Sequence, residues 1–133
     1  MSIEDATRKF RKELLAGTTS LAILVMLSQS KKPMYGYEIG LRLASLESEG
    51  LPMNQGALYP VLRSLEKLGL LTSEVEPSIS GPPRRYYQPT ECGIAALAEW
   101  KEIWARTCDW MEIVMEQKNG RRSKNATRRP KVP

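Results

Sequence analysis

Gln55, Tyr59 and Arg63 recur at intervals of four residues. On a helix that spacing puts an amide, a phenol and a guanidinium in one row. Such groups hydrogen-bond to phosphate oxygens and to base edges. A second basic feature is the pair Arg84-Arg85, beside Tyr86-Tyr87. A third is Lys32 with Tyr37, near the start of a predicted helix, where free N–H groups and the helix dipole receive a phosphate. Chemistry of other kinds is poorly supplied. The chain has no histidine, which removes the usual metal ligand, general base and neutral-pH switch. It has no glycine-rich phosphate loop and no nucleophile–base pair, so the residues do not read as an enzyme. No metal or cofactor is expected. Cys92 and Cys108 fall in one predicted helix, roughly 24 Å apart at about 1.5 Å per residue. A disulfide needs Cα atoms within about 7 Å, so they cannot pair within one chain. They read as reduced thiols, with a thiol link between two subunits as the other reading.

The row on Gln55, Tyr59 and Arg63 needs a helix to carry it. Leu58, Val61, Leu62, Leu65 and Leu68 supply the opposite, apolar face. Asn54 is a suitable N-cap and Gly69 a suitable left-handed end. Pro60 lies inside this helix, where it removes one backbone bond. A helix from Tyr35 to about Leu46 precedes it, with Ile39, Leu43 and Leu46 facing the core. The acidic stretch 47–52 connects the two. After Gly69, residues 71–76 and 84–88 read as two short antiparallel strands. Gly81 makes the turn of the intervening 77–83 loop, and only one of Tyr86 and Tyr87 packs inward. Helix, turn, helix and hairpin in this order is the plan of a winged helix-turn-helix.

Tyr35-Gly36-Tyr37-Glu38-Ile39, Gly56-Ala57-Leu58-Tyr59-Pro60, Leu65-Glu66-Lys67-Leu68-Gly69-Leu70 and Arg84-Arg85-Tyr86-Tyr87 with Thr90 and Gly93 together resemble the PadR family of transcriptional regulators. The resemblance runs from about Leu14 to about Gln117. It implies a homodimeric winged-helix protein that binds double-stranded operator DNA, usually as a repressor. On that reading Asn54, Gln55 and Ala57 meet bases, because the helix N-terminus goes deepest. Lys32, Tyr37, Tyr59 and Arg63 position the helix on phosphates, and Arg84 and Arg85 serve the wing. The chain departs from the family at Ala57, where Thr or Ser is commoner, and at Pro82-Pro83, which stiffen the wing tip.

Elsewhere, residues 3–15 read as a short amphipathic helix on Ile3, Thr7, Phe10 and Leu14, ending near Gly17. Thr18 or Thr19 then caps a second helix to about Gln29. Its segment Leu21 to Leu27 is apolar nearly all round and marks the centre of the core. Thr90 caps a last helix to about Gln117. Leu97, Trp100, Trp104, Met111 and Val114 take its first and fourth heptad positions, flanked by Cys108 and Trp110. So wide a stripe suits a dimerisation helix. In the resembled family, tryptophans of this helix also hold flat aromatic compounds in some members. Packing between subunits and a small aromatic ligand platform are both open.

The fold class expected is mainly α with a small β-hairpin wing and a long C-terminal dimerisation helix. Its divisions are residues 1–17, 18–90, 91–117 and 118–133. The last sixteen hold seven basic residues and no acidic one, and read as a disordered, DNA-seeking tail. The other 117 carry the remaining 13 basic residues against 15 acidic, a net of −2. A winged-helix module that binds protein and not DNA is therefore the competing reading. No apolar run reaches 18 residues, so a cytoplasmic protein without a membrane span is expected.

Overall fold

The structure, a computed structural model, describes residues 2–46 and 55–117, and divides after Leu97 into two units. Helix α1 is continuous from Ile3 to Gln29. The sequence suggests two helices with a break at Gly17, and the chain does not make it. One glycine costs a helix about 1 kcal/mol, too little to interrupt a segment anchored at its far end. Thr18 does not cap. Its hydroxyl donates to the Leu14 carbonyl at 3.0 Å, a bond made inside a running helix. Thr19 is buried. The N-cap is Ser2, whose Oγ accepts the Asp5 N–H at 3.0 Å. From Leu21 to Leu27 every residue is buried or half-buried, as the unbroken apolar run requires. Among the described residues, no helix is long and apolar enough to cross a membrane.

Strand β1 (Met34–Tyr35) precedes α2 (Gly36–Leu46), so Tyr35 belongs to a strand and not to the helix. Helix α3 spans Gln55–Lys67. Strands β2 (Leu71–Glu76) and β3 (Arg84–Pro89) form the hairpin, and Gly81 in its loop has a φ of 117°. The sheet is antiparallel with order β1-β3-β2, which makes three strands where the sequence suggests two. Met34 faces Tyr87 and Tyr35 faces Tyr86. Helix α4 spans Glu91–Glu116.

The core joins Ile23, Leu24 and Leu27 of α1 to Met34, Ile39, Leu71 and Tyr87, with Leu58, Leu62 and Leu65 of α3. Each such side chain contributes about 1.5–3 kcal/mol on burial. Two residues assigned to this core by spacing lie outside it. Leu46 ends α2 and is 76% exposed, and Leu68 is 66% exposed. Leu68 is the residue at which α3 stops following a helical path. The Leu70 N–H returns to the Leu65 carbonyl and the Gly69 N–H to that of Glu66, both at 2.9 Å. Gly69 has a φ of 82°, and this paired closure needs a left-handed residue there.

Thr90 caps α4 by accepting the Gly93 N–H at 3.0 Å, and it donates to the Gly69 carbonyl at 2.6 Å. The start of α4 is thus tied to the turn that ends α3.

Candidate nucleic-acid interface

Helix α3 has a buried side and an exposed side. Leu58, Leu62 and Leu65 are at most 1% exposed, which turns Ala57, Tyr59 and Arg63 outward. Pro60, Arg63, Ser64, Glu66 and Lys67 line an open depression along this outer face. Tyr59 is exposed only in part. Its ring lies over Gly36, where an added Cβ would stand 3.2 Å from Tyr59 Cε1. That contact sets the Cε1 and hydroxyl side of the ring against the first residue of α2, and the side chain stays 38% exposed. Gln55 opens α3. Asn54 lies outside the described residues.

Around the N-terminus of α2, Lys32 and Tyr37 are both exposed. The rings of Tyr37 and Tyr35 have centroids 6.2 Å apart, and those of Tyr35 and Tyr86 5.9 Å. Arg84 completes this cluster, its Cζ 4.7 Å from the centroid of the Tyr35 ring. Tyr37 and Arg84 therefore share one aromatic platform built on β1. Pattern alone misses Tyr35, because a two-residue strand has no period to detect.

Arg85 is not beside Arg84 in space, because successive strand residues point to opposite faces. Its Nη1 donates to Ser73 Oγ at 2.9 Å, and Ser73 Oγ donates to Glu66 Oε2 at 2.7 Å. These groups surround Tyr87. Burial pushes the Tyr87 phenol above its ordinary value, Arg85 and Arg63 pull it down, and Glu66 and Tyr59 push it up. Ser73 and Glu66 are also absent from the sequence-based site. The signal was present only in the register, which pairs Ser73 with Tyr87 and Val75 with Arg85.

An exposed polar row on the second helix of a helix-turn-helix, flanked by a hairpin, is a fold-level likeness. The sequence pattern of the transcriptional regulator PadR-like family matches residues 23–99, from the buried part of α1 into α4. The chain belongs to the PadR-like family. A crystal structure of a PadR family transcriptional regulator from Eggerthella lenta superposes with a TM-score of 0.67 at 35% identity, covering 86% of this chain and 96% of that one. A PadR-like transcriptional regulator from Bacillus cereus gives 0.63 at 28% identity, covering 78% and 97%. The transcriptional regulator Rv3488 of Mycobacterium tuberculosis is 44% identical over 54 residues, 41% of this chain. The chain spans half the length of that relative.

The second unit of this PadR-like chain carries most of the α4 stripe. Trp100, Cys108 and Met111 are half-buried. Trp104 is 45% exposed and Val114 47%. Ile103, Trp110 and Val114 are spaced by seven and four, as are Trp104, Met111 and Met115. Two adjacent apolar rows result. Leu97 departs from this group: it is 5% exposed and packs within its own chain. Cys92 and Cys108 are both free thiols.

Proposed function

We propose that this PadR-like regulator binds operator DNA as a homodimer and represses transcription until a planar aromatic compound releases it. The outward row on α3 carries the proposal: Ala57, Tyr59 and Arg63 face solvent while the same helix buries Leu58, Leu62 and Leu65. A helix with its apolar side held in the core and its polar side open can enter a major groove without unfolding anything. Asn54, Gln55 and Ala57 then approach bases. Tyr59 and Arg63, further along the helix, meet the backbone together with Lys32 and Tyr37. Arg84 carries the wing's charge to the adjoining phosphates. Two copies related by a two-fold axis read half-sites about one helical turn apart. The apolar rows of α4 supply the surface for pairing, and their tryptophans supply faces on which a flat ligand stacks.

The test is binding to duplexes selected by the protein from a random pool, over a range of salt. Arg63→Ala weakens binding to every selected sequence and lowers the salt slope by about one, as expected when a single phosphate is no longer neutralised. Gln55→Ala relaxes the preference at one base position and leaves the slope alone. An Arg63→Ala variant with unchanged affinity and slope means that α3 does not face DNA in this way.

A second expected result concerns residues 118–133, which lie outside the described residues. Their removal takes away seven positive charges and no negative one. Affinity for unselected DNA falls and the footprint on selected DNA stays in place. A changed footprint makes the tail a sequence reader.

A further inference from the structure

Arg84 and Arg85 are consecutive, yet they serve different neighbours. Arg84 lies over the Tyr35 ring. Arg85 reaches Ser73 in β2, and Ser73 reaches Glu66 in the last turns of α3. The two bonds tie both wing strands to the helix proposed to read DNA. A hydroxyl has one proton to give and two lone pairs to accept with. Ser73 can link these partners in one polarity only, donating to the carboxylate and accepting from the guanidinium. Glu66 and Ser73 are half-buried and their bond is partly covered, while Arg85 and its bond to Ser73 are exposed. The latter bond occupies Arg85 on the side of the sheet that packs against α3.

We infer that Ser73 and Glu66 are positioning residues that dock the wing on α3, that Arg85 fixes the Ser73 hydroxyl in the polarity that bond needs, and that Arg85 serves this internal link and not a DNA phosphate. The inference rests on the DNA-binding reading above. A wing held at a fixed angle presents Arg84 and the α3 row as one surface. Less ordering is then left to be done when DNA arrives, and affinity gains accordingly.

The experiment uses the full chain and a duplex selected by the parent protein, titrated from 50 to 200 mM salt, the range in which phosphate contacts show most clearly. Ser73→Ala and Arg85→Ala each weaken binding about five-fold, the worth of one hydrogen bond of ordinary net strength. Neither changes the salt slope. The double variant is no weaker than Ser73→Ala alone, because Arg85 acts only through the Ser73 hydroxyl that this change removes. Ser73→Thr, which keeps the hydroxyl, restores the affinity. Arg84→Ala, by contrast, lowers the slope by about one. A slope lowered by one in Arg85→Ala, or additive losses in the double variant, overturns the inference. Amide exchange in the DNA-free protein tests the docking by itself. Ser73→Ala speeds exchange across 71–76 and 84–88, and unchanged exchange overturns the docking. Should the parent select no duplex, the DNA-binding reading fails, while faster exchange in Ser73→Ala still supports the link between wing and helix.

Discussion

Trp104→Ala sediments as a monomer at micromolar concentration and loses its operator affinity with its partner. Trp104 is 45% exposed in the single chain, on an apolar row with Met111 and Met115 and beside a second row of Ile103, Trp110 and Val114. Large apolar side chains left open along two adjacent rows mark an interaction surface, and in the proposed homodimer a second copy covers it. Tryptophan is among the residues that dominate such interfaces, and truncating one costs at least about 2 kcal/mol when it is a hot spot. For an indole fully buried in the dimer the cost is roughly 3–5 kcal/mol. In a symmetric dimer it is incurred twice. A factor of ten per 1.4 kcal/mol then takes a nanomolar dimer beyond micromolar concentration. A single winged helix holds one half-site only, so specific binding collapses together with the dimer. The ligand-platform reading gives a different pattern. If Trp104 faces a central pore, the variant remains dimeric and binds its operator normally. It loses only the fluorescence quenching that planar aromatic compounds cause in the parent. Mass, operator binding and quenching measured on this one variant separate the two. A normal dimer with normal binding and unchanged quenching removes both.

What was legible in the sequence depended on whether the determinant was local. Gly69 ends α3, Gly81 turns the wing and Thr90 caps α4, because each acts through its own backbone or that of its near neighbours. The alternation of a strand was enough to foresee that only one of Tyr86 and Tyr87 packs inward, and it is Tyr87 that is buried. The failures share a different cause. Gly17 looks like a break because its cost is local, whereas what carries α1 through it is packing further along the helix. Leu46 and Leu68 have the right spacing for a core face, but spacing does not say where along a helix its neighbours stop. Met34 and Tyr35 form a strand only because β3 is there to pair with. The same holds in the candidate site. Tyr59 and Arg63 could be set on one exposed side by helical period alone. That Arg84 belongs with Tyr35, and Arg85 with Ser73 and Glu66, depends on a three-stranded register that no local pattern encodes.

Gly93→Ala lowers the stability of the first unit by about 3 kcal/mol or more, and the melting temperature by about 10 °C for a chain of this size. Alanine is normally the better helix former by about 1 kcal/mol, so the sign must come from the surroundings. A Cβ at position 93 would stand 2.1 Å from the Leu70 carbonyl oxygen, 3.1 Å from its carbon and 3.4 Å from its Cα. All three are backbone atoms, and no change of rotamer moves them. Either α4 lifts away from the turn after α3 or that turn is displaced. Both movements work against the same hydrogen bonds. The Thr90 N–H donates to the Leu70 carbonyl at 3.1 Å, and the Thr90 hydroxyl holds Gly69 and Gly93 together. Each such bond is worth about 1 kcal/mol net, on top of the overpacking cost. Gly17→Ala provides the control. Gly17 is also inside a helix, but nothing lies within 4 Å of the Cβ it would acquire. That variant gains up to about 1 kcal/mol from helix propensity. Thermal unfolding followed by circular dichroism, at one protein concentration for all three proteins because association shifts the midpoint, gives the comparison. A Gly93→Ala midpoint at or above the parent's would mean that the α4 N-terminus leaves room for a methyl group beside the Leu70 carbonyl. A large loss in Gly17→Ala would mean that α1 bends or packs at that position after all.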